Sequence, residues 1–478
     1  MNATLSQKRI TDSSVKSDRY LSLSLFGIYF SSLVFAAIAP DIISILVFLG
    51  LFFVWAVIFC KNKINNMALF AIIPLIISSF QNVFLGIMSP VLSSLEIQLF
   101  LSFGLIYSIA LFGILFFKNK IIPYYVAPII FSLFILIFYG FAISFLNGMH
   151  IGSFVSSMRN LIAPFMYFLI GYYAYKNVDK ERFVKYFTII LLIVFIFGLY
   201  ELLLDPLIWD KLNISNLWAK KGIPMYGNLL PANFYSSEII FGSQVRRMSS
   251  TYADPVNLGT FLGLAFIIFM FEKKYIFALF SVIAIVLTVS KGALLAILIF
   301  CIFRFYSRKN LVPFFIMCIL GVSFGVLFII YSINNSTLSI VAHIGGFFKS
   351  FNILIQFPFG LGIGNVGTLS SLFNSESLNY GIQESGLGMV FGQLGFVGFL
   401  CYGVLFICIL TKAKFLSLNK KRLLIIILFS IFSNIIFNEV ALSPNSCGSY
   451  FIILGFLVKN SQIVNNPYKQ ESLRNYRL

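Results

Sequence analysis

The sequence predicts an all-α membrane protein that crosses the bilayer many times, and three observations carry that expectation. Of 478 residues, 59% are hydrophobic and only 10% charged, with a mean hydropathy of +0.96. Soluble domains hold about 45–50% apolar and about 25% charged residues. The apolar residues fall into runs of about 17–25, the length that spans a bilayer core. The net charge of +18 lies in short clusters between those runs rather than along one face, so it belongs to topology and not to a nucleic-acid surface.

About fourteen such runs follow one another, several of them short, near 21–38, 41–59, 68–87, 97–117, 124–146, 160–175, 186–204, 255–271, 275–289, 292–306, 311–330, 385–410, 423–439 and 447–458. The first is preceded by basic residues and ends in Ala37-Ile38-Ala39, like a cleavable leader. Pro40 directly after the small residues disfavours cleavage, so it is kept as a span. Alternate connections are basic: Lys8 to Arg19, Lys61/Lys63, Lys118/Lys120, Lys176 to Lys185, Lys273/Lys274, Arg304 to Lys309, Lys412 to Arg422, and the tail. The positive-inside rule makes these connections and both termini cytoplasmic. The six cysteines sit within or at the ends of runs without CxxC spacing, a pattern that suits neither a disulfide framework nor a thiolate metal site.

The chain therefore reads as one integral membrane domain over 1–478, with two large outward loops at 205–254 and 331–384. Loops of that length are functional or unstructured. The first holds Trp209, Trp218, Pro224, Tyr226, Pro231 and Tyr235, which favours ordered structure. These aromatics suit either stacking on sugar rings or anchoring at the membrane interface. In the second, polar residues recur at helical spacing over Ile340–Ile355, predicting an amphipathic helix in the interface. Four glycines then follow (Gly360, Gly362, Gly364, Gly367), a run that permits close backbone approach to a ligand.

Eight Lys and Arg remain that the topology does not explain: Arg159, Lys211, Lys220, Lys221, Arg246, Arg247, Lys291 and Lys349. Four lie where loop meets membrane. Lys291 sits in a hairpin too short to be a solvated loop, and an unpaired cation at the membrane edge costs a few kcal/mol. Arg246 and Arg247 are adjacent cations on the less basic side. Guanidinium groups bind phosphate oxygens in forked pairs and lysine acts as a point charge, so Arg159, Arg246, Arg247 and Lys291 are candidates for holding a pyrophosphate. Snorkelling to headgroups, or pairing with Asp254, Glu201 or Glu238, is the alternative. Glu384, followed by Ser385 and Gly386, is the candidate carboxylate for accepting a proton from an attacking hydroxyl, its alternative being a helix N-terminal acid. Glu201, Glu439, Asp254 and His343 are lesser candidates.

Three stretches resemble the superfamily of O-antigen polymerases and ligases, membrane glycosyltransferases of the C-type fold. They are Arg247-Met248-Ser249-Ser250-Thr251-Tyr252-Ala253-Asp254-Pro255-Val256-Asn257-Leu258-Gly259, similar to an Arg-led entry with Pro and Asn before a span; Leu287-Thr288-Val289-Ser290-Lys291-Gly292-Ala293, similar to a Thr-x-Ser-Arg-Gly-Ala hairpin; and Pro358-Phe359-Gly360-Leu361-Gly362-Ile363-Gly364 before Glu384. With the spans they cover about residues 150–410. Lys291 departs from the family's arginine, which weakens a forked phosphate contact there. The family's ligases carry a histidine shortly before the following span; here that region reads Asn379 to Gly386 and the loop histidine is His343, far upstream, a form more similar to polymerases.

The resemblance implies transfer of an undecaprenyl-pyrophosphate-linked glycan onto the non-reducing end of another lipid-linked repeat unit, with inversion, at the periplasmic face of the bacterial inner membrane. The leaving group is already activated, so no cofactor, nucleotide or metal is expected. Partners implied are the lipid-linked donor and acceptor, membrane lipids and a chain-length regulator protein, and no nucleic acid. Cations would neutralise the departing pyrophosphate, and Arg247 and Glu384 would be the catalytic pair. A ligase is the nearer alternative. A flippase for the same lipid-linked units is the alternative of another class, distinguished by related halves and interrupted helices.

Overall fold

The computed structural model describes residues 21–464 apart from 22, 40, 62–66, 120–121, 149, 176–179, 222–229, 241–242, 306–310, 336 and 368–384. The described chain is almost entirely helical. In order the helices are α1 (Leu23–Ala36), α2 (Asp41–Lys61), α3 (Ala68–Met88), α4 (Ser94–Leu101), α5 (Phe103–Asn119), α6 (Ala127–Leu146), α7 (Ile151–Ala174) and α8 (Lys180–Leu203). The first large loop then folds into the short helices α9 (Ile208–Lys211) and α10 (Ile214–Lys220), and a hairpin of β1 (Tyr235–Ile240) against β2 (Ser243–Arg246). After it come α11 (Pro255–Phe271), α12 (Tyr275–Thr288), α13 (Lys291–Arg304), α14 (Val312–Asn335), α15 (Thr337–Gln356), α16 (Gly386–Ala413), α17 (Leu418–Phe437) and α18 (Pro444–Val464).

Each of the fourteen apolar runs holds helix, but their lengths differ. Among the described residues six helices (α2, α3, α6, α7, α8 and α16) are long and apolar enough to cross a membrane, and seven if the bent pair α4–α5 counts as one span. That pair was expected as a single run at 97–117. Instead the axis turns by 40° at Ser102, whose hydroxyl bonds back to Gln98 O at 2.9 Å, a contact that competes with the helical ladder and bends it. A capping box opens α4: the Ser93 hydroxyl accepts from Glu96 N at 3.2 Å, and Ser93 N donates to the Glu96 carboxylate at 2.9 Å.

The centre of the bundle is α7 against α18. Residues Leu161–Ala174 of α7 are buried almost throughout, and small residues let the two backbones meet: a Cβ on Gly171 would stand 2.1 Å from Ile452 O, and one on Gly455 2.3 Å from Phe168 O. Helices α2 and α6 are far less covered by protein, and their exposed Leu, Ile and Phe side chains form the apolar exterior.

The glycine run is a packing device. Helix α16 is interrupted at Gly395 (φ 59°, ψ −145°), and the segment 357–367 inserts its backbone into the gap. Leu361 N and Gly362 N donate to Gly392 O and Gln393 O at 2.8 and 3.0 Å, and Phe396 N donates to Pro358 O at 2.9 Å. The peptide groups freed by the interruption are thus paired inside the protein, the condition for broken helix at membrane depth. Both sides require glycine: Gly360 has φ 80°, and a Cβ there would meet Gln393 O at 2.5 Å. The expected amphipathic helix is present as α15, spanning Thr337–Gln356.

Candidate functional site

The adjacent arginines take separate positions. Arg246, at the end of β2, places Nη2 2.6 Å from Glu201 Oε1 near the end of α8, in a pair whose carboxylate is fully buried. Its Nη1 donates to Arg247 O at 2.6 Å and Phe234 O at 3.2 Å, and its guanidinium covers the Phe234 ring at 4.7 Å. Glu201 also accepts from the amides of Ser249 at 3.1 Å and Ser250 at 2.6 Å. Arg246 and Glu201 together therefore clamp the end of the first loop onto α8.

Arg247 turns the other way. Its Nε donates to Thr288 O at 2.8 Å and Nη1 to Asn233 O at 3.4 Å, while Met248 N donates to Leu287 O at 2.9 Å. Thr288 is the last residue of α12, so a cation meets the negative end of a helix dipole. Arg247 also acts electrostatically on Asp254.

Below this loop lies a cavity of about 550 Å³. Arg159 and Asn160 of α7 line it, with Gln81 and Asn82 of α3, Trp218 and Lys221 at the end of α10, Asn233, Asp254 and Asn257 at the start of α11, and Glu439 and Asn445 between α17 and the first turn of α18. Of the candidates read from sequence it joins Arg159 and Asp254, together with Glu439. Arg246, Arg247, Glu201 and Lys291 do not line it. Lys291 opens α13 beyond the neighbouring helix start: a Cβ on Gly259, in α11, would meet Ser290 Oγ at 2.2 Å. Glu384 and Tyr226 lie outside the described residues, as does the side chain of His343 on α15. Ser385, next to Glu384, donates to Ile436 O at 2.7 Å and caps α16 by accepting from Gly388 N at 3.0 Å.

Hydrogen bonds fix the cavity wall. Lys221 Nζ donates to Asn82 Oδ1 at 3.1 Å, and Asn82 Nδ2 donates to Tyr252 O at 2.5 Å. Asp254 caps α11 by accepting from Val256 N at 3.0 Å and also accepts from Asn257 Nδ2 at 2.5 Å; Asn257 Oδ1 accepts from Ser443 and Ser446 at 2.9 and 2.6 Å. Burial pushes the Asp254 carboxyl above the ordinary carboxylate value, opposed by the Val256 amide, Arg247, Asn257 and Lys221. Burial and the Arg159 charge push the Lys221 ammonium down to about 7, with Asp254 opposing.

Buried polar atoms on this wall that make no hydrogen bond among the described residues include Arg159 Nε, Trp218 Nε1, Asn160 Oδ1 and Asn233 Oδ1. Buried polar atoms are normally paired, so a concentration of unpaired ones around one space marks it for a polar ligand. Two cations, two carboxylates, several amides and one indole are the equipment for holding a charged ligand rich in hydrogen-bonding groups.

Reasoning from the sequence counted Lys221 among the unexplained cations without making it a candidate, and missed Gln81, Asn82 and Asn445. The signal lay in the Gln81-Asn82 pair inside an otherwise apolar run, since polar side chains within a span face a cavity or a partner. Of the first-loop aromatics, Trp209 is buried between Phe197 and Phe234, Tyr235 lies beside the Arg246 guanidinium, and Trp218 faces the cavity. No protein-family model matches this chain, and no curated protein is similar to it in sequence.

Proposed function

We propose that this chain is a surface-polysaccharide polymerase resembling the O-antigen polymerases: a multi-pass, metal-independent inverting glycosyltransferase of the bacterial cytoplasmic membrane. Fourteen crossings with both ends in the cytoplasm would put the first large loop and the cavity beneath it on the periplasmic side. The observation that carries the reading is the cavity itself, where Arg159 and Lys221 stand with Asp254 and Glu439 amid carboxamides and Trp218.

In the reaction, the bond from the donor anomeric carbon to pyrophosphate oxygen breaks as a bond to the acceptor hydroxyl oxygen forms on the opposite face. The hydroxyl proton passes to a carboxylate, and undecaprenyl pyrophosphate departs with the electron pair. Cations beside the pyrophosphate offset its growing charge, an effect strengthened in a partly dry cavity. Glu384 is the proposed base. Its neighbour Ser385 is bonded to Ile436 O, three residues before the cavity-lining Glu439. Arg247 stands outside the lining, bonded to Thr288 O and acting electrostatically on the cavity residue Asp254, so its proposed part is to act on the site through Asp254.

The test is genetic and chemical together. With membrane expression confirmed, Arg159→Ala, Arg247→Ala and Glu384→Gln are each expected to lower polymer formation at least about 100-fold, as loss of a charge-stabilising group does, leaving single-repeat glycan. Unchanged chain-length ladders in all three would remove the reading.

The interrupted helix at Gly395 favours a second reading, a flippase for the same lipid-linked units, because transporters bind substrate at such breaks. Lipid-linked units accumulating on the inner leaflet of a deletion strain, rather than single repeats at the surface, would favour it.

A further inference from the structure

Two consecutive lysines end α10, and they serve different ends. Lys220 donates to the carbonyls of Ser89 and Leu92, both at 2.6 Å, fastening the loop to the end of α3. Lys221 instead faces the cavity, where its ammonium meets Asn82 and lies 6.0 Å from the Trp218 ring centre. The charged and titratable groups around that space are Arg159 and Tyr167 from α7, Asp254 before α11, and Glu439 after α17, with Arg247 acting on Asp254 from behind. Among the described residues no ion pair joins Arg159 or Lys221 to a carboxylate. The Asp254 carboxylate is occupied by Val256 and Asn257.

Arg159 Nε and Trp218 Nε1 are donors without an acceptor on this wall, and Asn160 Oδ1 and Asn233 Oδ1 are acceptors without a donor. Clustered donors with positive charge select an oxyanion; flanking acceptors select hydroxyl or amide hydrogens. We propose that Arg159 and Lys221 are the two arms of an anion site, that the site takes an oxyanion carried on a saccharide, and that Lys221 is a ligand-binding residue. The choice of saccharide rests on the glycosyl-transfer reading; the anion site does not. A buried lysine already pushed down to about 7 is partly neutral at neutral pH, and an anion beside it restores the charged form. Affinity is therefore full at lower pH and falls as pH rises through 7.

Two sources supply such an oxyanion: the pyrophosphate diester of a lipid-linked sugar, and the carboxylate of an acidic sugar. The experiment uses the purified full chain in detergent, with two probes: a short-chain prenyl pyrophosphate diester of N-acetylglucosamine, and galacturonate. Both keep a constant charge between about pH 6 and about pH 8.5, so any change in affinity reports the protein. The wild type is expected to bind at least one probe about tenfold more tightly at the lower pH, taking up a proton in calorimetry. Lys221→Arg should bind without that pH dependence or proton uptake. Lys221→Met and Arg159→Met should each lose about tenfold or more, the loss of a charge-assisted contact. Melting curves of each variant check that the chain still folds.

Binding of the diester alone assigns the site to the lipid pyrophosphate, and binding of galacturonate alone to an acidic sugar. Binding of neither probe, or equal binding by wild type and Lys221→Met, overturns the proposal. A Lys221→Met protein that binds normally while a deletion strain accumulates single repeats overturns the anion site and leaves the polymerase reading intact. Normal proton-linked binding by a chain whose deletion leaves polymer length unchanged does the reverse.

Discussion

Arg246 and Arg247 are indistinguishable as letters and different as physical objects. Arg246 forms a short, largely desolvated pair with Glu201, and removing one partner of a buried pair leaves the other charge without compensation. Glu201→Ala and Arg246→Ala are each expected to destabilise the chain by about 3–5 kcal/mol, read as a lower melting temperature in detergent, with the double variant less harmed than the sum of the two. Arg247→Ala, which removes bonds to the carbonyls of Thr288 and Asn233, should be milder in stability and more severe in activity. The sequence could offer both arginines as anion ligands but could not choose, because the partner that commits Arg246 lies 45 residues away in the chain. Lys221 gives a second prediction at this scale. Its folded-state value lies below the ordinary lysine value, so the unfolded chain binds more protons between about pH 7 and pH 10 and stability rises with pH across that window. Lys221→Met should flatten the slope of melting temperature against pH there, and a slope equal to wild type would show that the lysine titrates normally.

Among the elements, the glycine segment and the break in α16 form one unit. A side chain at Gly395 would force a non-glycine residue to φ 59°, ψ −145° and set its Cβ 2.1 Å from Pro358 O. Gly395→Val is therefore expected to cost more than about 3 kcal/mol, from strain and collision together, and to lower folded yield in membranes; Gly403→Val, whose Cβ would meet nothing within 4 Å, is the matched control. The composition made the glycine cluster visible. It could not show that the surface approached is this chain's own helix rather than a ligand, since α16 begins nineteen positions beyond Gly367. Helix positions were legible for a simpler reason: apolar runs without charge have few other folds in lipid, and α11 and α12 run over Pro255–Phe271 and Tyr275–Thr288, nearly as the runs do. The turn at Ser102 was not legible, because one serine among apolar neighbours leaves the hydropathy unchanged.

Across the whole molecule, the cavity draws its wall from α3, α7, α10, the start of α11 and the turn before α18, so no local stretch of sequence announces it. The proposed topology has its own check: single cysteines introduced at Ser215 in the first large loop and at Lys414 between α16 and α17 should react with a membrane-impermeant maleimide in intact cells only at the first of these, and the opposite labelling would invert the orientation. One further property follows from α12 and α13, each only 14 residues long. At about 1.5 Å per residue each measures about 21 Å, against a hydrocarbon thickness of about 30 Å. In the proposed fourteen-span topology the bilayer beside this hairpin would thin, or the hairpin would draw headgroups inward, and either distortion costs a fraction of a kcal/mol per ångström. Lipids with shorter acyl chains relieve that mismatch, so the reconstituted protein should be more stable and more active in them than in long-chain, sterol-thickened membranes.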